Sequence, residues 1–223
     1  MLPSQTVENY LKTIYLAQAE LSDPDALVSM GQLADALDVV PGTATTMVKA
    51  LAESGLVRYE PYMGVRLTPA GEKLASLVSR RHRLIELFLV KVLGMSWAEV
   101  HDEAERLEHA VSEGLIERID EMLGRPEVDP HGDPIPTAEG HIRQPQYLDL
   151  LTAPLAQPVT VTRVLDQDAA FLRFLELHHL TPGRRVVVDD RDPIAEAVRL
   201  RPADGPTTTL GWRAASRILV KPD

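Results

Sequence analysis

The sequence predicts a mainly α-helical protein with a β-hairpin near its N-terminus and a small β-rich module at its C-terminus. Three observations lead to this fold class. Apolar residues recur with helical spacing up to about Gly124, strand-like alternation dominates after about Val159, and seven of the seventeen prolines lie between Pro126 and Pro158. Because proline removes a backbone donor and restricts its predecessor, that stretch cannot be continuous helix or central strand. We interpret it as an ordered loop followed by a linker.

The composition is that of a globular chain and excludes several classes of protein. Of 223 residues, 44% are apolar and 25% are charged, which allows one or two compact domains. No stretch approaches the roughly 18 apolar residues of a membrane span, and no signal peptide is recognisable, so we expect a cytoplasmic location and no membrane partner. The absence of cysteine excludes thiolate ligands, so a bound metal must use imidazole and oxygen donors. The net charge of −10 argues against nonspecific polyanion binding.

The first 73 residues have the spacing of a winged helix-turn-helix. Ser4 is a plausible N-cap for the first helix, the sequence SDPD at 22–25 ends it, and Gly55 ends the third helix. The segment LVRYEPYMGVRLTP then alternates as two strands, which predicts a hairpin of the kind called a wing. The predicted elements are, in order, helices over residues 4–20, 29–37 and 42–54, and strands on either side of the turn at 60–64.

The third helix offers short hydroxyls and one cation to a major groove. The candidate DNA-contacting residues are Pro41, which would set the helix start, Gly42, Thr43, Thr45, Thr46 and Lys49. The alternative is a protein-interaction domain built from the same helices and hairpin. Residues 1–73 hold five basic and nine acidic residues. We therefore expect the free monomer to bind DNA poorly, a deficit that dimerisation and bound cations would partly offset.

Two helices predicted after the wing, over residues 73–93 and 96–123, carry histidines and glutamates at helical spacing. His82 and Glu86 lie one turn apart on the first. On the second, an arc of roughly 100° holds His101, Glu105, Glu108 and His109. A buried apolar stripe is expected beside it, formed by Val100, Ala104, Leu107, Val111 and Leu115.

This pattern indicates a metal site, because aligned carboxylates repel one another unless a cation compensates their charge. A solvated acidic face is the alternative reading of the same residues. The sequence contains no HExxH motif, no notable Ser/His/Asp spacing and no Gly-rich phosphate loop, so we predict no catalytic residue.

The phrases ENYLKTIY, RRHRLIELFL, VHDEAERLEH and PHGDPIP, in this order, resemble the DtxR/MntR family of metal-dependent transcriptional repressors. The resemblance is close over residues 1–140. It implies four parts: a winged helix-turn-helix DNA-binding domain (1–73), a helical dimerisation and metal-binding domain (74–146), a linker (147–158) and an SH3-like, FeoA-type β-barrel (159–223).

The same resemblance implies a homodimer that binds double-stranded operator DNA and holds two metal ions per subunit. Carried over residue by residue, the regulatory site consists of Asn9, Glu105, Glu108 and His109. The ancillary site consists of His82, Glu86 and His101, with Asp168 of the C-terminal module as a candidate fourth ligand. A ligand role is not favoured for the remaining histidines, which are His131, His141, His178 and His179.

Departures from the family pattern bear on the choice of metal. Iron-responsive members place methionine at the position of Asn9 and cysteine at that of Glu105, so oxygen donors here favour Mn(II), with Fe(II) as the alternative. Manganese-responsive members usually carry glutamate at the position of Lys12, which argues against a paired-metal cluster. We expect a metal-dependent repressor of metal-uptake genes. The alternatives are a storage or hydrolytic protein that uses the His/Glu cluster, and a winged-helix regulator that ignores metal.

Overall fold

The structure, a computed structural model, describes residues 4–21, 23, 25–143 and 145–223. It divides into two compact units: Met1–His82 with Pro136–Ile142, and Arg83–Ile135 with Arg143–Asp223. Its helices are α1 Gln5–Glu20, α2 Met30–Ala36, α3 Pro41–Glu53, α4 Pro69–Lys91, α5 Val100–Leu107, α6 Glu113–Met122, α7 Ala169–Leu177 and α8 Trp212–Ala215. Its strands are β1 Val57–Glu60, β2 Gly64–Leu67, β3 Leu148–Asp149, β4 Pro158–Val164, β5 Arg185–Asp192, β6 Ala197–Pro202, β7 Thr208–Gly211 and β8 Ile218–Pro222.

The first unit contains the predicted winged helix-turn-helix, which confirms that part of the fold class. The Ser4 side chain accepts a hydrogen bond from the Val7 amide and so caps α1 as predicted. A capping box formed by Ser29 and Gln32 starts α2, and Pro41 occupies the first turn of α3. Strands β1 and β2 pair antiparallel as the wing. Ser22 and Pro24, which belong to the predicted break after α1, lie outside the described residues.

The helix predicted from residue 73 begins one turn earlier, at Pro69. Thr68 stabilises this earlier start, because its hydroxyl accepts a hydrogen bond from the Gly71 amide. The helix is continuous to Lys91, and the division between the two units falls within it, after His82.

The single helix predicted over residues 96–123 is wrong, because the structure has two helices there. Helix α5 ends at Leu107, and α6 begins at Glu113. Ser112 starts the second helix, since its hydroxyl accepts a hydrogen bond from the Leu115 amide. The chain between them forms a turn that contains His109, so the four predicted ligands do not lie on one helix.

The apolar stripe expected beside these ligands is only partly buried. Val100 and Ala104 are inaccessible in the second unit, where they pack with Leu84, Ile85 and Ile116. Leu107 and Leu115 are instead 38% and 48% exposed. The break between α5 and α6 separates the two ends of the stripe.

The C-terminal module is an antiparallel sheet with strand order β3-β8-β4-β5-β6-β7, as the β-rich prediction requires. The segment 147–158, expected to be a linker, contributes β3, which pairs with β8. Leu150 and Ala153 of this segment are buried in the same core as the sheet. Among the described residues, no helix is long and apolar enough to span a membrane.

Candidate metal centre

Three buried side chains of the second unit bring their donor atoms together. Glu86 comes from α4, whereas Asp129 and His131 come from the loop that follows α6. One donor atom from each lies within 4.8 Å of the others. His131 Nδ1 is 3.7 Å from Glu86 Oε2 and 4.0 Å from Asp129 Oδ1.

Local hydrogen bonds hold the loop in the shape that aims these side chains. Asp129 Oδ1 accepts hydrogen bonds from the backbone amides of His131, at 2.8 Å, and Asp133, at 3.0 Å. Between them, Gly132 adopts a φ of +86°, which a residue with a side chain rarely tolerates. The loop is anchored on β4, since the Val164 amide donates to the His131 carbonyl.

The proton position on His131 follows from its other ring nitrogen. Nε2 lies 2.8 Å from the Trp97 carbonyl oxygen, which can only accept, so Nε2 donates. In the neutral ring Nδ1 is therefore unprotonated. It is buried, has no hydrogen-bond partner, and faces two carboxylates. Electron-rich atoms held this close in a buried space require a proton or a metal cation, so the donor set fits a cation.

The pKa values of Asp129 and His131 are shifted because these buried ionisable groups lie close together. Burial, together with the neighbouring carboxylates of Asp133 and Glu86, raises the pKa of Asp129 to about 7. Burial acts to lower the pKa of His131, but the adjacent carboxylates of Glu86 and Asp129 outweigh it and raise that pKa. The cluster therefore retains protons more strongly than the separate groups would in water.

Glu86 also faces a second imidazole. His101 Nδ1 lies 3.4 Å from Glu86 Oε1, so the two carboxylate oxygens face different histidines. His101 Nε2 is 3.8 Å from Glu105 Oε1, one turn along α5. Through these contacts, the second unit brings together the predicted ligands Glu86, His101 and Glu105, with His101 about half exposed.

Glu108 and His109 form a further buried contact where α5 ends. His109 Nε2 lies 3.2 Å from Glu108 Oε1, and Glu108 is inaccessible to solvent. A buried carboxylate and imidazole in adjacent positions offer one oxygen and one nitrogen donor.

The remaining predicted ligands are Asn9, His82 and Asp168. Asn9 Oδ1 in the first unit is buried and has no hydrogen-bond partner among the described residues. His82 Nδ1, also in the first unit, lies 3.5 Å from Lys12 Nζ. Asp168 is exposed, and its carboxylate caps α7 by accepting from the Ala170 and Phe171 amides.

The C-terminal module contacts the loop after α6 through Arg163 and Gln167 rather than Asp168. Both contact the carboxylate of Asp133, at 2.5 Å and 2.9 Å. The sequence analysis did not single out His131, whose Nδ1 the structure places beside two carboxylates. The signal that would have found it is the motif DPHGDP, in which an aspartate on each side and an adjacent glycine enclose the histidine.

The predicted DNA-contacting residues share one side of α3. Ala44, Val48 and Leu51 are buried, whereas Thr45 is half-buried and Pro41, Gly42, Thr43, Thr46 and Lys49 are exposed. The hydroxyls of Thr45 and Thr46 donate to the carbonyls of Pro41 and Gly42. These hydroxyls therefore present their lone pairs, as acceptors, to an approaching partner.

The fold and these clusters define a winged-helix DNA-binding protein with a metal-binding region. The sequence matches three families: the iron-dependent repressor N-terminal DNA-binding domain over residues 3–65, its metal-binding and dimerisation domain over 68–137, and the FeoA domain over 148–222. The iron-dependent repressor IdeR of Mycobacterium tuberculosis (strain CDC 1551 / Oshkosh) is 32% identical over 196 residues, 82% of this chain and 84% of IdeR.

Other similar proteins include manganese regulators. The HTH-type transcriptional regulator MntR of Lysinibacillus sphaericus is 34% identical over 122 residues, 55% of this chain and 84% of MntR. The solved structure of a manganese-dependent transcriptional repressor in complex with manganese has a TM-score of 0.87 at 41% identity, covering 97% of this chain and all of that one. The chain belongs to the iron-dependent repressor (DtxR/MntR) family of metal-dependent, DNA-binding transcriptional repressors.

Proposed function

We propose that this repressor responds to Mn(II), with Fe(II) as the alternative, and binds operator DNA near metal-uptake genes as a cytoplasmic homodimer. The observation that carries the choice of metal is the Glu86–Asp129–His131 cluster. It combines one imidazole with two carboxylates and contains no sulfur donor. Carboxylate oxygens suit harder divalent ions such as Mn(II).

Two metal sites per subunit are proposed. The regulatory site is the set that the family resemblance implies: Asn9, Glu105, Glu108 and His109. The unsatisfied Oδ1 of Asn9 and the buried contact between Glu108 and His109 support it. The second, ancillary site is the other set that the family resemblance implies: His82, Glu86 and His101, with Asp168 as a candidate fourth ligand. The 3.4 Å approach of His101 Nδ1 to Glu86 Oε1 supports it. Beside it, the Nδ1 of His131 and the carboxylates of Glu86 and Asp129 offer further donors.

The proposed chemistry is binding, not catalysis. A bound ion supplies positive charge that lets buried carboxylates and imidazoles face one another without repulsion. Glu86 uses both carboxylate oxygens, one toward His101 and one toward His131, and so ties α5 to the loop after α6. Metal then favours the conformation of the chain that binds operator DNA, and by linkage DNA must tighten metal binding equally.

Exposed apolar side chains support the homodimer. In the helical part of the second unit they are Val92, Leu93, Leu107, Leu115 and Met122. Exposed apolar side chains are typical of an interface with another chain where they form a continuous patch. Two copies would place two α3 helices on one operator, which offsets the poor DNA binding expected of an acidic monomer.

The experiment that tests this function begins by selecting duplexes from a random DNA pool with Mn(II) present. The affinity of the selected duplex is then measured by fluorescence anisotropy with Mn(II), anaerobic Fe(II), Zn(II) or chelator. We expect strong binding with Mn(II) and about 5- to 150-fold weaker binding with chelator, as a coupling of about 1–3 kcal/mol predicts. Equal affinity in chelator would indicate the metal-independent regulator. Mn(II) binding without any DNA selection would indicate the storage alternative.

A matched pair of variants assigns the effect to the regulatory site. Glu108→Gln replaces a buried carboxylate, whereas Glu103→Gln removes the same charge from a partly exposed residue paired with Arg106 on the same helix. We expect Glu108→Gln to abolish the Mn(II) effect on operator affinity and Glu103→Gln to leave it within about twofold, because only Glu108 is a proposed ligand. Equal behaviour of the two variants would contradict the assignment.

A further inference from the structure

An open groove of about 1100 Å³ lies within the second unit, between its helical part and the C-terminal sheet. One wall is formed by the end of α4 and the segment that follows it, where Leu87 and Met95 lie. The other wall is formed by β4 and the turn before β5, where Val161 and Pro182 lie. Clefts lined largely by apolar side chains, with a few polar groups, are typical of sites for small molecules. None of the described residues that line the groove belongs to the regulatory or the ancillary site.

Trp97 gives the groove a fixed aromatic wall. Its side chain is 7% exposed, and its ring stacks on that of His131 with the ring centroids 5.6 Å apart. The Trp97 carbonyl oxygen also accepts a hydrogen bond from His131 Nε2, at 2.8 Å, so the two residues hold each other in place. The indole Nε1 of Trp97 is buried and has no hydrogen-bond partner among the described residues. Because a buried donor without an acceptor costs free energy, this wall favours an occupant that carries acceptor atoms.

The rim of the groove carries three exposed cations. Lys91 ends α4, Lys221 lies on β8, and Arg184 directly precedes β5. Arg184 pairs with Asp204, at 3.1 Å, whereas neither lysine has an ion-pair partner among the described residues. An anion can therefore pair with these two lysines without breaking an internal ion pair.

The charge of the rim is opposite to that of the chain as a whole. The chain has a net charge of −10, yet Glu176 is the one exposed carboxylate among the described residues that line the groove. The other lining carboxylate, Asp129, is buried and lies 3.8 Å from Arg83 Nε. A local excess of positive charge on an acidic protein attracts anions. The groove thus combines an apolar interior with an edge that selects negative charge.

We propose that this groove binds a small organic anion, with an apolar, planar body against Trp97 and an acidic group paired with Lys91 and Lys221. The acidic group is a carboxylate, a phosphate or a sulfonate, since each offers acceptor oxygens and negative charge to an ammonium group. Burial of the apolar body supplies affinity, and the lysines supply the preference for an anion. The inference goes beyond the proposed function, because the occupant is a ligand additional to metal and DNA.

The test is a fluorescence titration of the intact chain with two dyes that differ in charge. Anilinonaphthalene sulfonate is an aromatic anion, and phenylnaphthylamine is the same ring system without the sulfonate. The variant combines Lys91→Glu with Lys221→Glu. The control combines Arg213→Glu with Arg217→Glu, which makes the same change of charge at exposed residues of the C-terminal module that do not line the groove. Circular dichroism checks that each variant is folded.

We expect the sulfonate dye to bind the natural protein saturably, at one site per subunit, and more tightly than the neutral dye. The lysine variant should bind the sulfonate dye about tenfold more weakly or less, because two attractive contacts become repulsive, and the neutral dye within about twofold of the natural affinity. The arginine control should leave both affinities unchanged. Equal weakening in the control would mean that net charge alone attracts the dye. Equal affinity for the two dyes would mean an apolar interface instead of an anion site. Either result, or binding that does not saturate, would overturn the inference.

Discussion

Asp129 both shapes its loop and faces its neighbours with negative charge. One oxygen accepts two backbone amides, which fixes the loop, while the other has no hydrogen-bond partner and lies 3.8 Å from Arg83 Nε. Such a carboxylate is costly to ionise in the interior, and its raised pKa of about 7 expresses that cost. A bound cation would remove the cost, so proton and metal compete for the same cluster.

This competition predicts how the stability of the metal-free protein depends on pH. The pKa values of Asp129 and His131 are raised in the folded state, so the protons that these groups bind stabilise the fold. That stabilisation is complete below the unfolded pKa values and is lost as pH rises through about 7. We expect the metal-free melting temperature to fall between pH 6 and pH 8, and the increase caused by saturating Mn(II) to grow over that interval. Calorimetry at several pH values measures both.

Asp129→Asn provides the control for the pH prediction, because an amide keeps the acceptor oxygen and cannot ionise. The decrease in metal-free stability between pH 6 and pH 8 should become smaller in this variant. An unchanged pH profile would show that other groups dominate the proton linkage.

At the scale of elements, the loop that carries Asp129 and His131 depends on one close approach of its backbone to that of β4. A Cβ atom on Gly132 would lie 1.9 Å from the Thr162 carbonyl oxygen of β4, at a φ of +86°. Gly124 has a similar φ of +79° with open space around it. These two glycines separate the cost of backbone strain from the cost of steric overlap.

We expect Gly124→Ala to lower the free energy of unfolding by about 1 kcal/mol, the usual cost of a non-glycine residue at positive φ. Gly132→Ala should lower it by at least about 2 kcal/mol more, because the backbone of β4 cannot move aside cheaply. Urea denaturation of the metal-free variants measures both values. Equal losses would mean that the loop and β4 separate readily.

Helix α3 leads to a prediction about DNA. Lys49 is exposed on the same side as Thr43 and Thr46, at a position suited to a phosphate. We expect Lys49→Ala to weaken binding to selected and random duplexes by similar factors, and to reduce the slope of log affinity against log salt by about 1. Anisotropy titrations at several salt concentrations measure this slope. Loss of affinity for the selected duplex alone would assign Lys49 to base recognition.

At the scale of the whole molecule, metal choice and DNA affinity are coupled through donor chemistry. Replacing Asn9 by methionine and Glu105 by cysteine exchanges two oxygen donors for softer sulfur donors. We expect this double variant to shift operator activation from Mn(II) toward Fe(II) or Co(II). The readout is operator affinity at saturating metal under anaerobic conditions, because raw metal affinity follows the general order of the divalent ions.

The combination Asn9→Gln with Glu105→Gln serves as the control for metal choice, since it changes both side chains without introducing sulfur. It should weaken activation by every metal instead of changing the preferred one. If the methionine–cysteine variant keeps the natural ratio of Mn(II) to Fe(II) activation, these two positions do not determine selectivity.

Much of the architecture follows from interactions between residues close together in the sequence. Ser4 caps α1, Pro41 lies in the first turn of α3, and Gly64 lies in the hairpin, so each acts on residues close to it in the sequence. Caps, helix starts and turns were therefore predictable. Composition alone excluded thiolate ligands, because the chain has no cysteine. The break at Ser112 was missed because the apolar spacing continues through it, and periodicity does not register a single capping hydroxyl.

The site itself was determined only in part by the sequence. The spacing predicted that Glu86, His101 and Glu105 would be ligands, and the structure places them near one another. Tertiary structure alone decided that His131 faces Glu86 and that Lys12 contacts His82, because each pair joins segments that are distant in the sequence. Spacing can assign a side chain to a face of its own helix. Which imidazole nitrogen faces a carboxylate, and which faces an ammonium group, depends on how the helices and loops pack.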